Sequence, residues 1–193
     1  MINHVLFLIE RYDTESESFR YVHEVSKYLR SKGIESHLIC FSDKAMEIDS
    51  GFLKVHTVPF LLHGDNFFNW MMLVNIEFVR KIRELLEVES FDLVNSVDWV
   101  TIPAGTAGAK LLDVPLVVTF NSIEHERGMD KMHSFVISDL EWDGANEANA
   151  VIVRKKSTSE AIKVFRLDPE KVFMIQKPED VLKVYEKYMK VKA

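Results

Sequence analysis

Residues Thr119–Arg127 read TFNSIEHER, which places a hydroxyl, an amide, carboxylates and a guanidinium in one short polar loop. Thr119, Glu124 and Arg127 are suited to a charge-assisted contact that fixes such a loop. Asn121 can donate and accept hydrogen bonds, but it cannot change charge near neutral pH as an imidazole can. A second pair, Asp98-Trp99, stands at the end of the apolar run FDLVNSV. A Trp there is either a packing anchor or a flat ring for a ligand. His125 and His133 lie near Glu124, Glu126 and Asp130, but their spacing is not HExxH or any other ligand frame, so no metal is expected. Asp139, Glu141 and Asp143 alternate along one helical stretch and do not share a face. Lys155-Lys156 precedes Ser157-Thr158, where a basic pair either attracts an anion at a helix start or is simply solvated.

Composition narrows the classes. The chain has 193 residues, 47% hydrophobic and 28% charged, a balance expected of one globular domain with its own core. Its formal net charge of −6 argues against a nucleic-acid partner, which would need clustered Lys and Arg. The single cysteine, Cys40, lies in an apolar strand pattern and reads as a small buried hydrophobe, with a reducing cytoplasm as the default location. MINHVLFLIERYD is too short and too soon charged for a signal peptide or a membrane span. The one glutamine, Gln176, beside abundant Glu and Lys, leans towards a thermophilic source.

The elements that would position these groups follow an α/β order, a doubly wound, mostly parallel Rossmann-like sheet with helices on both faces. His4–Ile9, Glu35–Phe41, Phe52–Val58, Phe91–Ser96, Leu116–Phe120, Ala150–Val153 and Val172–Ile175 read as strands. Helices are expected over Ser18–Ser31, closed by Gly33, and over Thr101–Leu112, Ser134–Asn149, Ser157–Phe165 (capped from Ser157 or Thr158) and Pro178–Val191. Asn121–Lys131 reads as a loop, and Asp168-Pro169-Glu170 as the start of a helical turn. The helix from Phe67, capped by Asp65 or Asn66, is apolar nearly all round at Phe67, Phe68, Trp70 and Met71. That end is either buried beneath the Pro59–Gly64 loop or is a platform for a partner protein, a lipid-linked acceptor or a membrane surface. No repeat or linker interrupts the chain, so residues 1–193 are expected to form one domain. Asp98 and the Thr119–Arg127 loop then fall past the carboxyl ends of two parallel strands, where open sheets of this kind place ligands.

The order FDLV…DW…AG…A…L.VPLVVTF.S.E..R, followed by ISDLEW…ANAVIV.KKSTSEAI…LDPEKVFMI, resembles the amino-terminal, acceptor-side half of a GT-B retaining glycosyltransferase of the glycogen synthase or family 4 type. The resemblance covers residues 90–176 well and 1–58 loosely. It implies two facing Rossmann-like domains, of which the second holds the nucleotide-sugar. A chain of 193 residues has no room for that donor domain, and residues 178–191 resemble the terminal helix that crosses back onto the first domain. Asp98, Trp99, Asn121, Glu124 and Arg127 match substrate-side positions of the family. Glu141 matches a family glutamate, from which a structural hydrogen bond is expected rather than proton transfer. Active relatives carry a histidine where this chain has Asn121, and another near Asn95 and Ser96. Their glycine-rich first loop is here ERYDTESESFR, with no glycine and four acidic residues, which would repel a diphosphate. The resemblance with these departures implies a glycosyltransferase-like domain that binds a carbohydrate or a protein partner without catalysis of its own and without a cofactor. Two alternatives stand beside it. One is the acceptor subunit of a split enzyme, completed by a separate donor-domain protein; a homo-oligomer is the other protein partner considered. The other is a Rossmann-type metabolite-binding protein.

Overall fold

The computed structural model describes residues 2–59, 66–128 and 131–189, leaving aside the side chains of residues 131 and 132. The strands are β1 (His4–Arg11), β2 (Glu35–Ser42), β3 (Glu47–Asp49), β4 (Lys54–Pro59), β5 (Leu93–Val97), β6 (Leu116–Phe120), β7 (Ala150–Val153) and β8 (Val172–Met174). The helices are α1 (Glu17–Ser31), α2 (Phe67–Leu86), α3 (Ile102–Leu112), α4 (Glu124–Arg127), α5 (Lys131–Glu147), α6 (Lys156–Ala161) and α7 (Pro178–Met189), with short 3₁₀ turns at Trp99–Thr101, Ile162–Phe165 and Pro169–Lys171. The sheet order is β3-β4-β2-β1-β5-β6-β7-β8. Its neighbours are all parallel except the edge pair β3 and β4. β1 lies at the centre with β2 on one side and β5 on the other, so the winding reverses there, and sheets of this kind place ligands at that point beyond the strands' carboxyl ends.

Apolar runs make the strands, and both faces of the sheet are covered. Val5–Ile9 are wholly buried, as a central parallel strand with helices on each face requires. One core joins Leu6, Leu8, Ile39 and Val118 to α2, α3 and α5; the other joins Val5, Phe7, Leu38 and Val117 to α1 and α7. α7 packs beside α1 through Val181, Val184 and Tyr185. Cys40 is fully buried in the second core, which pushes its thiol up to about 12. In α3, Gly105 admits the helix onto the sheet: a Cβ there would stand 2.7 Å from the Ser96 Cβ.

Several boundaries differ from the sequence expectation, each for a local reason. β3 was not foreseen, because EID is too short and too polar to show a strand period. The loop expected over residues 121–131 contains α4, whose first turn is closed by Glu126 accepting from the Ile123 N–H at 3.0 Å. Neither Ser157 nor Thr158 caps α6, which begins one residue earlier with Lys155 at its cap position and no side-chain bond. Thr158 instead donates its hydroxyl to the Asn121 carbonyl at 3.3 Å. Asn66 does cap α2, accepting from the Phe68 and Asn69 N–H groups at 3.1 and 3.0 Å. Gly33 adopts φ +78° after α1. Asp65, the loop residues 60–64, Asp130 and the last residues of the expected terminal helix lie outside the described residues.

Candidate functional site

Three chain segments meet past the carboxyl ends of β1, β5 and β6. β5 ends at Val97, and Asp98 takes φ +59° and ψ 167°, a backbone state that only tight surroundings hold in a non-glycine residue. The Asp98 N–H donates to the Thr119 carbonyl at 2.8 Å, which ties β5 to β6 beyond the last ladder pair. Asp98 Oδ1 accepts the Asn121 backbone N–H at 2.8 Å. Its Oδ2 accepts the Asn121 side-chain amide at 2.7 Å and the Ser18 hydroxyl at 2.9 Å. Ser18 sits in the first turn of α1, placed there because Ser16 caps that helix by accepting from the Phe19 N–H. Asn121 also donates to the Ser18 hydroxyl at 3.0 Å, closing the triangle.

Both Asp98 oxygens are therefore held by protein donors. Burial raises its carboxyl, opposed by the Asn121 and Ser18 bonds and by the charge of Arg127. The Asn121 Oδ1 is a buried acceptor with no hydrogen-bond partner among the described residues, and the residue is only 5% exposed.

Glu124 and Arg127 form a second knot with Glu141 of α5. Arg127 donates to the Glu141 carboxylate, to Glu124 at 3.4 Å and to the Ser122 carbonyl at 2.8 Å. The other Glu141 oxygen accepts the Glu124 N–H at 2.7 Å. Asp139 and Asp143 face solvent while Glu141 is wholly buried, so it alone of the three acids turns inward. Burial pushes the Glu141 carboxyl up to about 7, against its bond from Glu124 and the charge of Arg127, while the Glu124 charge adds to the rise. Two buried carboxylates share one guanidinium here, and Glu141 retains a proton to near neutral pH.

The remaining expected residues separate. Trp99 is 9% exposed and turns to the α2 face, its ring 5.3 Å from that of Phe67. Phe67, Phe68 and Trp70 are half-buried against the first core, and Phe67 stacks on Trp70 at 6.2 Å. Met71, a candidate with them for a partner surface, is 3% exposed and belongs to the core, because it lies on the face of α2 that meets the sheet. His133 packs its ring against Phe67 and Phe68. Lys155 pairs with Glu17 at 2.8 Å.

Some contributors have partners that the sequence does not reveal. Asn95 is fully buried, and its amide joins Thr119, Tyr21 of α1 and Tyr185 of α7 in one network. Burial raises both tyrosines and keeps them neutral. Ser18 is one of several hydroxyls in an acidic loop, and only tertiary pairing singles it out. At the opposite edge of the sheet, His4, His37 and His56 converge from β1, β2 and β4. Burial lowers His37 to about 4, leaving its ring neutral. The signal available for these was a histidine near the start of each of three otherwise apolar strand runs.

The chain has known relatives in family and in fold. The family model for Glycosyltransferase Family 4 matches residues 18–180. No curated protein matches the chain in sequence. A shorter chain of sucrose-phosphate synthase from Thermosynechococcus elongatus superposes with a TM-score of 0.69 at 12% identity, covering 99% of this chain and 100% of that one. The longer sucrose-phosphate synthase structure from the same organism gives 0.72 at 10% identity over 90% of this chain and 47% of its own. Anabaena HepE in complex with UDP and glucose gives 0.60 at 14% identity over 96% and 50%. The chain thus spans about half the length of the longer structures it resembles. It belongs to glycosyltransferase family 4, and its eight-stranded α/β sheet is the fold of one half of a GT-B enzyme.

Proposed function

We propose that this domain binds a carbohydrate in the crevice beyond β1, β5 and β6 and does not transfer sugar by itself. The observation that carries the reading is the closed Asp98–Asn121 pair. Asp98 already accepts three hydrogen bonds from donors of the chain, which supports a role as a clasp between the β5 and β6 ends rather than as a proton acceptor for a substrate hydroxyl. Asn121 has no titratable group near neutral pH, yet it presents one buried, unpartnered acceptor of the kind a sugar hydroxyl satisfies. Glu124, Arg127 and Glu141 hold the β6 loop from behind and act as positioning residues. The test is calorimetric titration of the chain with soluble oligosaccharides and with nucleotide-sugars. Binding of an oligosaccharide that Asn121→Ala weakens at least tenfold supports the reading. Tight binding of a nucleotide-sugar with no oligosaccharide binding overturns it.

A second reading rests on the half-length match. The chain covers 47% of the longer sucrose-phosphate synthase and 50% of HepE. A separate protein carrying a donor-type domain would complete a two-domain cleft, with this chain as its acceptor side. Half-buried Phe67, Phe68 and Trp70 beside Trp99 are candidate contacts for such a partner or for a lipid-linked acceptor. Co-purification of a donor-domain protein that restores turnover would place this reading first.

A further inference from the structure

The amino-terminal edge of the sheet holds a second polar cluster, independent of the carbohydrate reading. His4, His37 and His56 lie on the same face of β1, β2 and β4 as Leu6, Ile39 and Val58, under the end of α2. Glu47 of β3 accepts from His56 Nδ1, and His56 Nε2 stands 3.0 Å from His37 Nδ1. His37 is 1% exposed, and its Nε2 has no hydrogen-bond partner among the described residues. That atom faces Glu89, just past α2, with Oε1 at 4.0 Å. The other Glu89 oxygen is 3.5 Å from His4 Nδ1, which is also buried without a hydrogen bond.

Proton accounting along this chain of contacts fixes the tautomers. A carboxylate only accepts, so His56 Nδ1 carries the hydrogen directed at Glu47. A neutral His56 then turns the lone pair of Nε2 towards His37, whose Nδ1 must donate. His37 Nε2 is left as a bare lone pair inside the protein, facing a carboxylate. Two acceptors facing each other in a buried space repel unless a cation lies between them. Glu47–His56–His37 is thus an outer-shell relay of the kind that orients a ligating imidazole and raises its basicity.

We propose that His4 Nδ1, His37 Nε2 and the Glu89 carboxylate form a three-ligand site for a divalent transition ion of the zinc type. Two imidazoles and a carboxylate suit zinc, cobalt or nickel and not calcium or magnesium, which take oxygen ligands. The three ligand atoms lie within 4.8 Å of one another. A tetrahedral ion with bonds of about 2.0–2.1 Å needs edges of about 3.3 Å, so the ligands must close by up to about 1.5 Å. His37 is locked by His56 and Phe91, whose ring lies edge-on at 5.1 Å. The adjustment falls to His4 and Glu89, whose side chains are 26% and 24% exposed and have room to turn. Lys54 Nζ, 3.4 Å from Glu89 and 3.1 Å from Glu35, keeps Glu35 as its partner when Glu89 swings to the ion. The fourth position is left to water. The ion would tie the segment after α2 to the starts of β1 and β2, adding its binding free energy to that of the fold.

The test uses the full chain, free of tags, stripped of metal and titrated with cobalt(II) and then with zinc(II) against a chromophoric chelator. The expected result is one ion per chain, tetrahedral cobalt absorption that zinc bleaches, and a rise in melting temperature. His4→Gln and Glu89→Gln, both at part-exposed positions, are expected to fold and to weaken zinc at least tenfold. His56→Gln, which touches no ion, is expected to weaken it 10- to 100-fold through the relay. Absence of stoichiometric binding overturns the proposal. So does binding that His4→Gln and Glu89→Gln leave unchanged, since it would belong to His23, His63, His125 or His133. Should His37→Gln fail to fold, the two part-exposed variants still decide.

Discussion

Asp98 and Asn121 are joined twice, once through the Asn121 backbone N–H at 2.8 Å and once through its side-chain amide at 2.7 Å. The β5 and β6 ends are thereby locked at the point where a parallel sheet opens towards ligands. Asn121→Ala keeps the backbone bond and loses two side-chain bonds, one of them to a carboxylate. A loss of about 2 kcal/mol is expected by urea unfolding. Asn121→Asp sets two carboxylates together and should cost more than Asn121→Ala. Asn121→His restores the imidazole implied by the family resemblance, and no sugar transfer by the chain alone is expected from it in a product assay.

The Glu141 carboxyl supplies a pH test. Its folded value is about 7, above the ordinary 4.5, so the folded chain holds a proton that the unfolded chain releases in between. The contribution of Glu141 to stability therefore falls as pH rises from about 4.5 to about 7 and is level above that. Relative to Glu141→Gln, the unmodified chain should lose about 3 kcal/mol across this window. Denaturant melts of both proteins at several pH values check this. A difference that is constant with pH, or that grows, contradicts it.

The buried network around Asn95 holds α1 and α7 to the sheet. Tyr185 donates to Asn95 Oδ1 at 3.0 Å and Tyr21 at 3.2 Å. Tyr185→Phe removes one donor and leaves Asn95 Oδ1 with another, so about 1 kcal/mol is expected to be lost. Asn95→Ala removes the acceptor shared by Tyr21 and Tyr185 and the amide bonded to Thr119, leaving Tyr21 and Thr119 only their mutual contact at 3.3 Å, and about 3 kcal/mol should go. Equal costs for the two variants in urea unfolding would show that the network is not shared.

Gly144 faces Ile102, where a Cβ would stand 2.5 Å from Ile102 Cγ2. Helix propensity favours alanine by about 1 kcal/mol, but overpacking of this size costs about 1–3 kcal/mol. Gly144→Ala should therefore destabilise, and the double variant with Ile102→Val should recover part of the loss. Melting temperatures of the three proteins decide the sign.

The sequence carried the scaffold further than the site. β6 and β7 fall on their expected residues because buried parallel strands are short apolar runs with clear ends. Asp98, Asn121, Glu124, Arg127 and Glu141 were visible as polar groups in such settings, and the resemblance to family members gave them their order. Their partners were not visible. Ser18, Tyr21 and Tyr185 reach the centre from α1 and α7, at separations where no local pattern records a contact. The histidine cluster was hidden for the same reason, since ligand frames are read along one segment and these rings come from three strands. Met71 was misplaced because an all-apolar helix end does not say which side meets the sheet.

What the proposed crevice binds, and whether the chain alone turns it over, can be read in one experiment. The measurement is a nuclear magnetic resonance titration of the isotope-labelled chain with oligosaccharides, with a nucleotide-sugar then added and the products analysed from the same tube. The account predicts saturable shifts at the Asn121 side-chain amide and at the Ser18 and Asp98 backbone signals, with no newly linked sugar. Glycoside formed by the unmodified chain alone, or oligosaccharide shifts that fall elsewhere and leave Asn121 unmoved, would contradict it.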